Sequence, residues 1–152
     1  MPAKVNYIKG DRFTDHRGSL QFVNEFSFPD TKRFYQITHP DTSVVRAWQG
    51  HQVEEKSFYV VKGRFVIAWV EIDDWERPSA DLSAAYTVLE EHVPAVLHIP
   101  AGFANGIKAL DPDSILMVYS NLSLEASAAD RWSFDQHLWF DWQQMSINTI
   151  TA

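Results

Sequence analysis

The sequence predicts an all-β sandwich or barrel, and three observations carry that expectation. Apolar and aromatic residues gather in short runs rather than at helical spacing. Turn residues punctuate the runs: His39-Pro40-Asp41, Pro78-Ser79, Pro100-Ala101-Gly102 and Asp111-Pro112-Asp113. Six or more short strand-like segments with such spacing indicate two packed sheets or a closed barrel. The 152 residues suffice for one sizeable core, and no linker, repeat or low-complexity tract divides them. Residues 1–152 are therefore expected to form a single domain.

The elements follow in order. Ser19–Phe26 alternates and contains Phe22 and Val23, so it reads as a strand. Arg33–Thr38 is short and aromatic. Lys56–Val61 and Arg64–Ile72 read as two strands joined by a tight turn at Gly63. Leu82–Ala85 is expected to form a helical turn. Tyr86–Leu89, Ala95–Ile99 and Ile115–Tyr119 are further strands. The segment from Ala126 to Trp142 has no clean period. Its Trp132, Phe134, Trp139, Phe140 and Trp142 are too many large apolar groups to leave in water. It is expected to pack on the barrel as a short helix or loop.

Composition narrows the function. There is no cysteine, which excludes disulfides, thiolate metal sites and cysteine nucleophiles. The net charge of −7 disfavours general binding to nucleic acid or anionic membranes. No apolar run approaches the ~20 residues of a membrane span. The start, MPAKVNYIKGDRF, lacks the apolar core of a secretory signal, so a cytoplasmic location is expected. There is no Gly-rich phosphate loop and no nucleophile elbow.

Three segments together carry a resemblance: Asp15-His16-Arg17-Gly18-Ser19-Leu20, then Arg46–Gly63 (RAWQGHQVEEKSFYVVKG), then Ile99–Leu110 (IPAGFANGIKAL). Their order and spacing resemble the cupin-fold isomerases that act on dTDP-linked 4-keto-6-deoxy sugars. The similarity runs from about Gly10 to Trp142. It implies a cupin jelly-roll barrel of antiparallel strands with a short C-terminal appendage, and a homodimer. Two branches of the family compete. Arg46, Lys56 (seven residues before Gly63) and Tyr119 match the pattern of dTDP-4-dehydrorhamnose 3,5-epimerase. Lys32-Arg33-Phe34-Tyr35-Gln36-Ile37 and the Arg46-x4-His51 spacing match that of the dTDP-sugar 3,4-ketoisomerases. Gln49 and Asn105 stand where the family has histidines, and the late aspartate of the epimerase has no counterpart.

Both activities remove a proton from carbon beside a ketone, stabilise an enolate, and return a proton elsewhere. No metal and no redox cofactor is required. The step needs a base near neutrality, for which His51 is the candidate. It needs a cation at the developing oxyanion. Lys56 shares a strand face with Phe58 and Val60, so a barrel-lining lysine fits that role. Tyr119 is the candidate acid. Arg46 and Arg17 suit the diphosphate, and Arg33 is a further phosphate candidate. Tyr35 and Trp48 are candidates to stack on the base or sugar. Gln49 and Asn105 can hydrogen-bond a sugar hydroxyl or keto oxygen. Asp135 is a weaker candidate for orienting His51. The pairs Glu54-Glu55 and Glu90-Glu91 read as solvated edges, and His98 as a core or pocket histidine.

Two other classes stay open. One is a cupin that binds nucleotide sugar without chemistry, favoured by Gln49 and Asn105. The other is a metal-dependent cupin enzyme, for which only His51 with Glu54 or Glu55 stands in the right place.

Overall fold

A computed structural model describes residues 4–144. Two five-stranded antiparallel sheets stack face to face in the cupin-like jelly roll. The strands are β1 (Asn6–Lys9), β2 (Asp11–Asp15), β3 (Gly18–Phe22), β4 (Arg33–Ile37), β5 (Val45–His51) and β6 (Lys56–Lys62). They continue with β7 (Arg64–Glu71), β8 (Ala85–Glu90), β9 (Ala95–Ile99), β10 (Phe103–Ala109), β11 (Ile115–Ser120) and β12 (Trp132–Ser133). One sheet runs β1-β9-β6-β11-β4 and the other β12-β5-β10-β7-β8, while β2 and β3 form a separate hairpin. One short helix, α1 (Leu124–Ala128), is capped by the Ser123 hydroxyl, which accepts from the Ala126 N–H.

The inner faces meet in one core. Phe58, Val60, Leu97, Leu116 and Val118 of the first sheet oppose Phe65, Ile67, Leu89, Ile107 and Ala109 of the second. Alternation places these residues inward and their neighbours outward. The outer face of the second sheet forms a second core. Trp48, Val66, Ala68 and Val70 pack there against Phe134, Leu138, Trp139, Phe140 and Trp142. The aromatic C-terminal segment thus lies on the sheet, as its composition required. Gly106 makes room for it. A Cβ at Gly106 would stand 2.6 Å from the Trp142 ring and 2.7 Å from the Ala47 Cβ.

Four expectations change. Lys56–Lys62 and Arg64–Glu71 are strands, but they do not pair with each other. Each belongs to a different sheet, and Gly63, at φ 74°, carries the chain across. The strand expected over Ser19–Phe26 ends at Phe22, because a turn closes with the Phe26 N–H donating to the Val23 carbonyl. Leu82–Ala84 is irregular and Ala85 already begins β8, so no helical turn forms there. Two adjacent strands of the second sheet flanking the site, β5 and β10, were not expected as strands. Gly50, Asn105, Gly106 and Lys108 interrupt their apolar pattern.

Candidate active site

The site sits where the two sheets part between β4 and β5. Its wall is a small cavity of about 50 Å³ lined by Tyr35, Ile37, Arg46, Gln49, Lys56, Phe58, Asn105 and Ile107. Gln49 on β5 is the register partner of Asn105 on β10. Both amides therefore stand side by side on the wall. Lys56 begins β6 and pairs with Ser120, which in turn pairs with Arg33 of β4. Arg33, Ser120 and Lys56 thus form one polar row at the end of the apolar core.

His51 ends β5 two residues after Gln49 and so faces inward with it. It is 4% exposed. Its Nδ1 lies 2.9 Å from the Asp130 carbonyl oxygen and 3.3 Å from Glu54 Oε1. A carbonyl can only accept, so Nδ1 carries the proton and Nε2 the lone pair. Nε2 is buried and has no hydrogen-bond partner among the described residues. Burial, then the Lys56 charge, push the imidazole below the ordinary histidine value. The Asp130 carbonyl and the Glu54 and Asp130 charges oppose them. The residue is thus held as a neutral imidazole with a free lone pair, the form that a general base requires.

Glu54 is the residue that sequence reasoning missed. Its side chain is fully buried instead of solvated. The Ser120 and Ser127 hydroxyls donate to its oxygens, and Arg33 Nη2 donates at 3.1 Å. Burial pushes the carboxyl up, but Lys56, the two serines and His51 together hold it below the usual glutamate range. The carboxylate of Asp130 accepts the backbone N–H groups of Gln52, Val53 and Glu54 at 2.9, 2.9 and 2.7 Å. That capture turns the chain between β5 and β6 and directs Glu54 inward, which two adjacent strand positions could not do. The His51-x-x-Glu54 spacing was the available signal. Glu55 faces away and takes His98 Nε2 at 3.0 Å, while His98 Nδ1 meets Ser57 Oγ.

No protein-family model matches the chain, and no curated protein matches it. Solved structures do. The dTDP-4-dehydrorhamnose 3,5-epimerase from Sulfolobus tokodaii is 24% identical, covers 94% of this chain and 84% of its own, and has a TM-score of 0.73. The rmlC epimerase of Mycobacterium tuberculosis is 17% identical, with 91% and 74% covered and a TM-score of 0.73. A mutant of the 3,4-ketoisomerase QdtA from Thermoanaerobacterium thermosaccharolyticum, in complex with TDP-4-keto-6-deoxyglucose, is 20% identical. It covers 86% of this chain and 88% of its own, at a TM-score of 0.66. The chain has the fold of the dTDP-sugar isomerases.

Within that sugar-isomerase fold the structure separates the sequence candidates into two groups. Lys56, Gln49, Asn105, Tyr35 and Arg46 come together at the cavity, and His51, two residues on from Gln49, lies close enough to Lys56 to feel its charge. Arg46 is exposed at its mouth and forms no ion pair among the described residues. The other five candidates lie elsewhere or are engaged in other contacts. Tyr119 pairs with Phe34 and Ser57, one residue out of phase with Lys56, so it points to the outer face. Its ring meets Phe28 and Phe34. Trp48 is likewise on an outer face, 1% exposed among Trp139 and Trp142, with its indole N–H on the Leu138 carbonyl. Arg33 is held by Glu54 and Ser127 over the Tyr35 ring, and is not free for phosphate. Arg17 is on the exposed β2–β3 turn, paired with Asp15 at 2.7 Å. Asp135 caps the His137 N–H and makes no contact with His51; Glu54 and the Asp130 carbonyl occupy that place. Among the described residues no three His, Asp or Glu side chains are grouped to hold a metal ion.

Proposed function

We propose that this chain is a nucleotide-sugar isomerase acting on a dTDP-4-keto-6-deoxyhexose by proton abstraction beside the ketone. The observation that carries the reading is His51, buried and neutral, with Nδ1 committed to Asp130 and Nε2 free, next to the cationic Lys56. His51 Nε2 takes the proton from carbon, the electron pair moves to the keto oxygen, and Lys56 stabilises the enolate. Tyr35 is the tyrosine on the cavity wall, and it replaces Tyr119 as the group that returns a proton. Arg46 holds the diphosphate at the mouth, and Gln49 and Asn105 bind sugar hydroxyls. With Tyr119 on the outer face, the 3,4-ketoisomerase branch fits better than the 3,5-epimerase. The setting is cytoplasmic deoxysugar synthesis, and the working form is a homodimer.

The test is proton exchange in deuterated water with dTDP-4-keto-6-deoxyglucose, followed by NMR of the ring protons. Loss of the C3 proton, migration of the ketone from C4 to C3 and entry of solvent deuterium at C4 are expected, and His51→Gln is expected to slow them at least about 100-fold. Exchange at both C3 and C5 without migration identifies epimerase chemistry instead. A second reading is favoured by the paired amides Gln49 and Asn105, which bind sugar without any base: a nucleotide-sugar-binding cupin. Ligand-induced shifts with no exchange would select it.

A further inference from the structure

We propose that Glu54 is a positioning residue for the base: with the Asp130 carbonyl it fixes His51 as the Nδ1–H tautomer and balances the charge formed when Nε2 takes a proton. The proposal rests on the reading of His51 as the base. It stands on three observations. Glu54 Oε1 lies 3.3 Å from the same Nδ1 whose N–H is hydrogen-bonded to the Asp130 carbonyl at 2.9 Å, so the carbonyl takes the hydrogen bond and the carboxylate sets its charge beside that N–H. The carboxylate is completely buried, yet Ser120, Ser127 and Arg33 already satisfy it; the contact with His51 is additional to what its burial requires. The turn that carries it is clamped by the Asp130 carboxylate on three consecutive N–H groups.

The charges around the imidazole come from every side. Glu54 approaches from the β5–β6 turn, Asp130 from the segment after α1, Lys56 from β6, and Arg33 from β4 behind Glu54. Two anions and two cations therefore surround a neutral ring. Proton uptake at Nε2 adds a third cation. Without Glu54, the imidazolium would share a buried space with Lys56 and Arg33 against Asp130 alone, and proton abstraction would become harder.

The experiment has two independent readouts. In the unmodified protein, ¹⁵N NMR of His51 is expected to show Nδ1 protonated and Nε2 bare above its titration. An Nε2–H tautomer overturns the proposal. In Glu54→Gln, the His51 titration is expected to fall by roughly 1 to 3 pH units, as loss of an opposite charge at this distance produces. The acid limb of sugar exchange should fall with it, and kcat should drop at least about tenfold while KM changes little. Glu54→Asp should recover part of the titration shift. A folded Glu54→Gln protein with an unmoved His51 titration overturns the proposal. If Glu54→Gln does not fold, the tautomer in the unmodified chain decides. A Glu54-dependent titration with no exchange on any keto sugar would instead overturn the substrate reading and support the positioning role.

Discussion

A lysine buried beside a histidine base acts on proton abstraction in two opposed ways. Its charge lowers the affinity of His51 for a proton, which weakens the base. The same charge stabilises the enolate, and the enolate gains more because its charge exists only after the proton has left. Replacing Lys56 by Met separates the two effects. Exchange is expected to slow about 100- to 1000-fold, the cost of removing an oxyanion donor. The acid limb of the remaining activity should move to higher pH, since His51 loses the cation that depresses it. In the unmodified chain that limb should lie below the ordinary histidine value of 6.5. The shift is thus opposite in sign to the one expected for Glu54→Gln, and a pH–rate profile of both variants checks the two together. Much of this site was legible at the level of residues. Lys56 could be found because period-two alternation puts it on one strand face with Phe58 and Val60, whereas His51, Gln49 and Asn105 were legible only through their place in the family pattern. The same rule, applied to Tyr119, shows why it fails: counting from Lys56 across the β6–β11 register puts Tyr119 on the other face. That register is a long-range fact, absent from any local window of sequence.

At the level of elements, β5 links the two cores. Trp48 points outward into the aromatic segment, Gln49 lines the cavity, and His51 shares the inward face of Gln49. The position of the base therefore depends on packing at the back of its own strand. Trp48→Ala removes a wholly buried indole and its hydrogen bond to the Leu138 carbonyl. A loss of about 3–5 kcal/mol is expected, which for a chain of this size lowers Tm by roughly 10 °C. Thermal unfolding of the variant measures it. A Tm within a degree of the parent would show that the aromatic segment does not brace this strand. The strands with continuous apolar runs, β6, β7, β9 and β11, were legible in the sequence. β5 and β10 were hidden because the site itself breaks their pattern with amides, and Gly50 and Gly106 are small to admit the rings of Trp75 and Trp142. The mistaken hairpin at Gly63 has a similar cause. A glycine turn between two strands looks the same whether the chain returns along one sheet or crosses to the other.

At the scale of the whole molecule the two sheets are treated unequally. The second is covered on its outer face by the aromatic segment, whereas the first leaves Phe34 68% exposed beside Tyr119, with Phe28 also exposed against the Tyr119 ring. The β2–β3 hairpin pairs with neither sheet, and two strands alone are marginally stable in water. Its cross-strand pair Phe13 and Leu20 is exposed as well. In the proposed homodimer the exposed aromatic residues of one copy and the apolar side of the other copy's arm would complement each other. The same proposal would give Arg17 a use: at the tip of the arm and outside the cavity of its own chain, it would reach the diphosphate of the proposed substrate only if the arm were lent to a neighbour. Sedimentation at micromolar concentration is expected to show a dimer, and Phe34→Lys or Leu20→Lys a folded monomer with a weakened KM. Arg17→Ala should weaken KM without dissolving the dimer, because its side chain is exposed and paired only within its own turn. A monomeric parent chain with an unchanged KM in Arg17→Ala would refute both the dimer and the lent arm.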